Sequence, residues 1–209
     1  MAAAAEAVRK PFVGELLGRG DFAIISEIVE PNSKVLDLGC GEGELLAWLA
    51  ANKGVDARGV EISATKVRRA IARGVSAYQG DIDEVLQDYS DHAFDYVILS
   101  QTLQETHWPL KVMRDMLRVG RHAIVAFPNF GHWHVRLSLL FHGRAPKTKL
   151  LPYEWYDSPN IHVLTVDDFD QVVRQEGFTI ERNYFLSGRR RIHLLPNLRA
   201  AEAVYLIRK

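Results

Sequence analysis

The residues whose spacing best suits chemistry are gathered in the run D-L-G-C-G-E-G, residues 37–43. Asp37 opens it, and Gly39, Gly41 and Gly43 alternate with Cys40 and Glu42. Glycine reaches backbone angles closed to other residues and lets a ligand touch the main chain. The run stands where an apolar stretch turns into a helical pattern, and the first turn of a helix offers unpaired N–H donors. These features make a ligand cradle. Glu61 lies 22 residues beyond Gly39, at the end of a second apolar run. A carboxylate so placed can accept both hydroxyls of a ribose. Asp81, preceded by Gly80, ends a third run and can reach an adenine amine. Ile62 and Ile82 follow the two acids directly. Ligands of open α/β sheets bind beyond the carboxyl ends of the strands, and all these residues fall on that edge. The chemistry expected is recognition of a nucleoside.

The elements that must position them alternate. Residues 35–38, 57–62, 75–80, 94–99 and 123–127 read as buried strands. Between them, Leu45, Leu46 and Leu49 mark a helix stopped by Gly54. Val67, Ala70 and Ile71 mark one capped by Ser63 and ended at Gly74. Leu110, Met113 and Leu117 mark a third, opening near Pro109. Residues 22–29 predict a helix before the first strand. This alternation implies βαβ units and a mostly parallel sheet with helices on both faces. After Pro128 the rhythm breaks into an irregular insertion, residues 129–165. It holds one helix with Trp133, Leu137, Leu140 and Phe141 on a face, then a long loop. Thr165 and Asp168 form a capping box before a helix bearing Phe169, Val172 and Val173, ended by Gly177. Residues 178–186 and 203–207 complete seven strands, the last two read as an antiparallel pair. Arg189, Arg190 and Arg191 read as a solvated loop. The expectation is one domain, residues 1–209.

The composition narrows the function. Lys plus Arg number 26 and Asp plus Glu number 26 in 209 residues. A zero sum argues against a surface built for nucleic acid or anionic membrane. Cys40 is the single cysteine, so no internal disulfide forms. No apolar run approaches the ~18 residues of a membrane span, and residues 1–12 lack the basic start of a signal peptide. A cytoplasmic protein with a short frayed N-terminus is expected. The charge is nevertheless segregated. Residues 74–110 carry seven acids and no Lys or Arg, whereas residues 116–153 carry Arg118, Arg121, Arg136, Arg144, Lys147, Lys149 and no acid.

A dinucleotide fingerprint, G-x-G-x-x-G, would place its third glycine one residue later, and Glu44 there would face a pyrophosphate. The run D-x-G-x-G-x-G instead resembles motif I of the class I S-adenosylmethionine (SAM) methyltransferases. That ligand has a sulfonium cation in place of phosphate. Longer stretches resemble one family, the methionine biosynthesis protein MetW: VLDLGCGEGELL (35–46), FDYVILSQTLQ (94–104), MLRVGR (116–121), FPNFGHW (127–133) and LPYEWYDSPNIH (151–162). The resemblance covers nearly the whole chain from about residue 21. Glu42 departs from a common Asp, and His134 from a common Arg. The resemblance implies a Rossmann-like class I methyltransferase fold. It implies SAM or S-adenosylhomocysteine (SAH) as ligand, at Asp37, Gly39, Cys40, Gly41, Gly43, Glu61, Ile62, Asp81, Ile82 and Ser100. It also implies a partner, a homoserine O-acyltransferase of the MetX type, which the protein supports in amino-acid biosynthesis. Oligomeric state is not implied.

Methyl transfer from a sulfonium is an in-line displacement, to which positioning contributes much of the rate. A base is needed only for a protonated acceptor. The candidates near the expected mouth are His107, Gln101, Gln104, Tyr153 and His134. His107 leads as a base, against a plain surface histidine beside Trp108. His132, His134 and His142 lack a cysteine or acid to complete a metal site, so none is expected. Cys40 reads better as filler of a tight turn than as a nucleophile. The helix face of Trp133, Leu137, Leu140 and Phe141 reads equally as a partner-docking face or a lid over the ligand. A SAM-binding accessory subunit is the leading reading. A small-molecule methyltransferase and an NAD-dependent oxidoreductase are its rivals.

Overall fold

The five apolar runs become parallel strands β1 (Lys34–Leu38), β2 (Asp56–Glu61), β3 (Ser76–Gln79), β4 (Phe94–Ser100) and β5 (Gly120–Pro128). The structure, a computed structural model, describes residues 18–148 and 151–209. The frayed start expected for residues 1–12 lies outside them. Strands β6 (Thr179–Ser187), β7 (Arg190–Arg191) and β8 (Glu202–Arg208) complete a sheet of order β3-β2-β1-β4-β5-β8-β6-β7. β8 runs antiparallel to both β5 and β6, as the expected pair requires. The sheet thus has eight strands, not seven. The extra one is the two-residue return of a hairpin, pairing Leu186 with Arg191 and Ser187 with Arg190. Two residues carry no periodicity to read, which is why the arginine run looked like loop.

Helices cover both faces. On one lie α1 (Gly20–Ile28), α2 (Glu44–Lys53) and α3 (Ala64–Ala72), over Val35, Ile98, Ile124 and Val204. On the other lie α4 (Ile82–Val85), α5 (Pro109–Val119) and α7 (Val166–Gln175), over Leu36, Val97, Leu99 and Val125. Alternate residues of each central strand feed opposite clusters, as the period of two dictates. The sequence signals for the helix ends hold. Gly54 takes a left-handed φ of 65° after α2, Ser63 caps α3, and Thr165 with Asp168 forms a full capping box on α7. Two assigned core positions are instead exposed. Ile71 turns outward from α3 and Leu110 from α5, leaving Val67 and Ala70, and Val112, Met113, Met116, Leu117 and Val119, to face the sheet. The insertion carries α6 (Trp133–His142), and α8 (Pro196–Arg199) precedes β8. No helix among the described residues is long and apolar enough to cross a membrane.

The order reverses between β1 and β4: successive strands step outward from β1 to β3, then return to its other side. Crossovers diverge there and leave a crevice above the carboxyl ends. Gly43 fixes the crevice wall. Its φ is +77°, and a Cβ on it would lie 3.0 Å from Ala70 Cβ and 3.2 Å from Ala70 Cα. Gly43→Ala should therefore cost about 2–4 kcal/mol from left-handed strain plus overpacking against α3. The check is a lowered urea midpoint at unchanged m-value.

Candidate functional site

The cradle is built by the turn out of β1. Gly39, Gly41 and Gly43 all have positive φ, so the backbone winds tightly before entering α2. The N–H groups of Gly39 and Cys40 donate to Val60 O, at 2.8 and 3.0 Å, lashing the loop to the end of β2. Gly41 has open space where a Cβ would stand. Glu61 is buried, and its carboxylate is fixed at both ends: Gly41 N–H donates to Oε2 at 3.1 Å and Ser63 N–H to Oε1 at 2.9 Å. Each oxygen keeps a lone pair, so Glu61 arrives pre-oriented to accept two further hydroxyls.

Above the loop opens a cleft of about 520 Å³. Of the residues singled out from sequence, Gly39, Gly41, Glu61, Ile62, Asp81, Ile82, Ser100, Gln101, His107 and Tyr153 line it together. Asp37, Cys40 and Gly43 do not. Asp37 lies beneath the loop, buried, with Oδ1 unpartnered. Cys40 turns its sulfur into the core against Gly59, where a Cβ would stand 2.5 Å from it. Burial pushes that thiol up to about 12, which removes it as a nucleophile. Gly43 serves helix packing. Glu44 also misses the cleft: it pairs with Arg73, while Glu42 pairs with Arg69 and Arg73. The case against a pyrophosphate therefore rests on the glycine spacing alone.

The candidate residues differ in what holds them. His107 sits at the rim with its ring Nδ1 3.3 Å from Asp83 Oδ2, and the same carboxylate accepts from His107 N–H and Trp108 N–H. The Gln101 side chain donates to Glu202 Oε2 at 3.2 Å. Gln104 is buried as a backbone anchor, and His134 lies in a separate groove with His132 and Trp133. Among the described residues no group of three His, Cys, Asp or Glu side chains is placed to hold a metal.

Sequence reasoning named Ser100 but missed the rest of the floor, Arg19, Asp21 and Glu202. Arg19 lines the cleft and donates to both oxygens of buried Asp21, at 3.2 and 2.6 Å, and to Ser100 Oγ at 3.1 Å. Ser100 in turn donates to Asp21 Oδ2 at 2.5 Å. Glu202 completes the group from the first position of β8. Burial raises Asp37 to about 8, against the pull of Arg19 and with the push of Asp21 and Glu61. Burial and Asp21 raise Glu202 to about 8. The signals were faint: Asp21 just before the apolar run 22–25, and Glu202 at the head of an apolar strand.

The floor is thus an acid-rich well holding one guanidinium, under a rigid hydroxyl acceptor. Comparison with known proteins fits this geometry to a lineage. The family model described as "Methionine biosynthesis protein MetW" matches residues 19–207. The chain belongs to the MetW family. A relative from Rhodopirellula baltica, the bifunctional methionine biosynthesis protein MetXA/MetW, is 35% identical over 170 residues. That match takes 77% of this chain and only 27% of the relative, so the chain spans about a quarter of that protein's length. Among solved structures, an S-adenosylmethionine dependent methyltransferase from Mesorhizobium loti superposes with a TM-score of 0.67 at 17% identity, covering 93% of this chain and 100% of that one. The cyclase SpnF superposes with a TM-score of 0.64 at 17% identity, covering 90% and 80%. These likenesses establish the fold that MetW shares with class I methyltransferases.

The two raised carboxyls give a pH signature. In the folded chain they keep protons until about pH 8, whereas ordinary values are 3.8 and 4.5. The unfolded chain therefore binds fewer protons across that window, and these groups make stability fall as pH rises through it. Asp37→Asn and Glu202→Gln should each flatten the fall. Thermal midpoints compared at about pH 5 and about pH 8 check this: the variants lose less than wild type between the two.

Proposed function

We propose that this MetW chain binds SAM or SAH in the cleft and acts as an accessory or regulatory subunit of a homoserine O-acyltransferase of the MetX type. The observation that carries the ligand is Glu61, buried and held by two N–H groups at the strand reversal. Its free lone pairs suit a ribose. Asp81 has one oxygen committed to Asp83 N–H and the other available to an amine. The ligand's amino-acid end is zwitterionic, and the floor offers both complements. Arg19 lines the cleft and suits a carboxylate, and the acids that line it suit an ammonium. A sulfonium is a cation without protons to donate, and an acid-rich cleft stabilises it without needing hydrogen bonds. A cation bound there also favours the ionised forms of Asp37 and Glu202.

The partner reading is supported by the printed name of the Rhodopirellula relative, which joins MetXA and MetW in one protein. Its logic is feedback, since SAM is made from the methionine this route produces. A small-molecule methyltransferase is the second reading, favoured by the openness of the cleft beside Gln101, His107 and Tyr153. There Asp83 holds His107 Nδ1 and leaves Nε2 uncommitted among the described residues, whereas Gln101 gives an amide N–H to Glu202.

Two measurements test the proposal. Calorimetric titration should show SAH binding that Glu61→Ala weakens by about 10- to 100-fold, the worth of one or two hydrogen bonds to a charged acceptor. NAD should not compete; tight NAD binding overturns the ligand. Acyltransferase activity should change on adding the chain and change again on adding SAM. No change on adding the chain overturns the partner, and labelled product from SAM and cell extract restores the methyltransferase reading.

A further inference from the structure

Helix α6 departs from the rule that a surface helix buries its apolar side. Of its ten residues only Val135 is buried. Leu140 and Phe141 are 74% and 73% exposed, and Trp133, Leu137 and Leu139 are also open. The loop that follows adds Trp155, Tyr156 and Val163, each above 70% exposed at 78%, 72% and 72%. So the face is no lid packed over the ligand. Two grooves, of about 630 and 180 Å³, adjoin these residues: Trp133 lines one, Trp155 and Val163 the other, and Leu151 both. This many large apolar side chains left open on one excursion mark an interaction site.

The excursion is nevertheless anchored at its base. Phe130 N–H donates to Leu164 O at 3.1 Å, tying its two ends together. The Asn129 side chain donates to Asn197 O and Ala200 O, and accepts from Gly131 N–H and Val166 N–H. A rigid footing under an open apolar face is what preorganised docking needs.

The charge on this face selects the occupant. The excursion carries Glu154 and Asp157 beside its aromatic loop, and Lys147 is spent on Glu154, but among the described residues neither Arg136 nor Arg144 has an ion-pair partner. A two-fold contact with a second copy that met through α6 would set Arg136 and Arg144 against themselves. An anionic bilayer would satisfy the charge, but has no side chains to fill two grooves. A folded protein with apolar knobs and an acidic rim fits both features.

The same excursion reaches the cleft. Tyr153 and Pro159 line it, and the N–H groups of Ile161 and His162 donate to Gln104 O at 2.8 and 3.0 Å. The Gln104 side chain donates to Gln101 O, and Gln101 lines the cleft. A ligand touching Tyr153 therefore has a contact that depends on how the excursion lies, which is the differential interaction coupling requires.

We infer that residues 129–163 dock the acyltransferase named above, through α6 and the aromatic loop, and that docking and cleft occupancy are coupled through Tyr153 and Pro159. This rests on the accessory-subunit reading. The test is calorimetry and sedimentation of the full chain with the homoserine O-acyltransferase of its own host. The wild type should bind. The double variant Leu140→Asp, Phe141→Asp should weaken binding by at least about tenfold, and Arg144→Glu by about three- to tenfold, with a shallower salt dependence. These side chains are exposed, so SAH affinity should stay at the wild-type value. Saturating SAH should shift the acyltransferase affinity, and the acyltransferase should shift SAH affinity by the same factor. A double variant that binds the acyltransferase like wild type overturns this surface and leaves the accessory reading standing. A wild type that binds no acyltransferase overturns both. Binding to phosphatidylserine vesicles, or self-association, that the double substitution abolishes while acyltransferase binding persists overturns the choice of occupant. Equal acyltransferase affinity with and without SAH overturns the coupling.

Discussion

Parallel strands all finish at one edge of the sheet, and every one delivers a turn there. Where the order reverses between β1 and β4, two neighbouring turns swing apart and their polar ends have no element above them. The chain answers with a left-handed glycine turn, lashed by two N–H groups to Val60 O, and with Glu61 clamped by Gly41 and Ser63. Everything else at that edge is arranged around this turn. Ala70 packs on Gly43, Thr102 packs on Gly39, and Asp37 is sealed beneath. The site is a consequence of closing the end of the sheet without closing the crevice.

That part of the protein was legible in sequence because it is local. Glycine spacing, strand-end acids, Ser63, Gly54 and the Thr165 box each act within a few residues of themselves. Of the floor only Ser100 was legible, because Arg19 and Asp21 reach Ser100, and Glu202 reaches Gln101, across some eighty to one hundred residues of chain. No periodicity encodes such a meeting. The direction of Cys40 and Glu44 was hidden for a related reason. In a turn of alternating glycines, each side chain's outlook follows from backbone angles that residue type leaves open. The eighth strand was too short to announce itself, and α6 was read for its apolar residues without knowing that nothing would cover them.

The fold alone leaves the reaction open. A methyltransferase and a cyclase share it at similar superposition, so the cleft states what is held and not what is done. The insertion distinguishes this lineage. It departs from the sheet at Asn129, displays its aromatic residues outward, and returns to touch the cleft at Tyr153 and Pro159. It carries cleft-lining residues and exposed apolar residues on a single stretch of backbone.

The sheet margins decide how any such meeting can occur. β3 has four residues, and β7 has two, both arginine. Arg191 is further committed, paired with Glu27 and lying over the Tyr184 ring at 5.2 Å. β7 covers only Leu186 and Ser187 of the nine-residue β6, so residues 179–184 keep an open margin that carries Glu181 and Arg182. Charge on an edge strand opposes pairing with a visiting strand. The two margins are therefore guarded differently, β3 by its shortness and β6 by its charge.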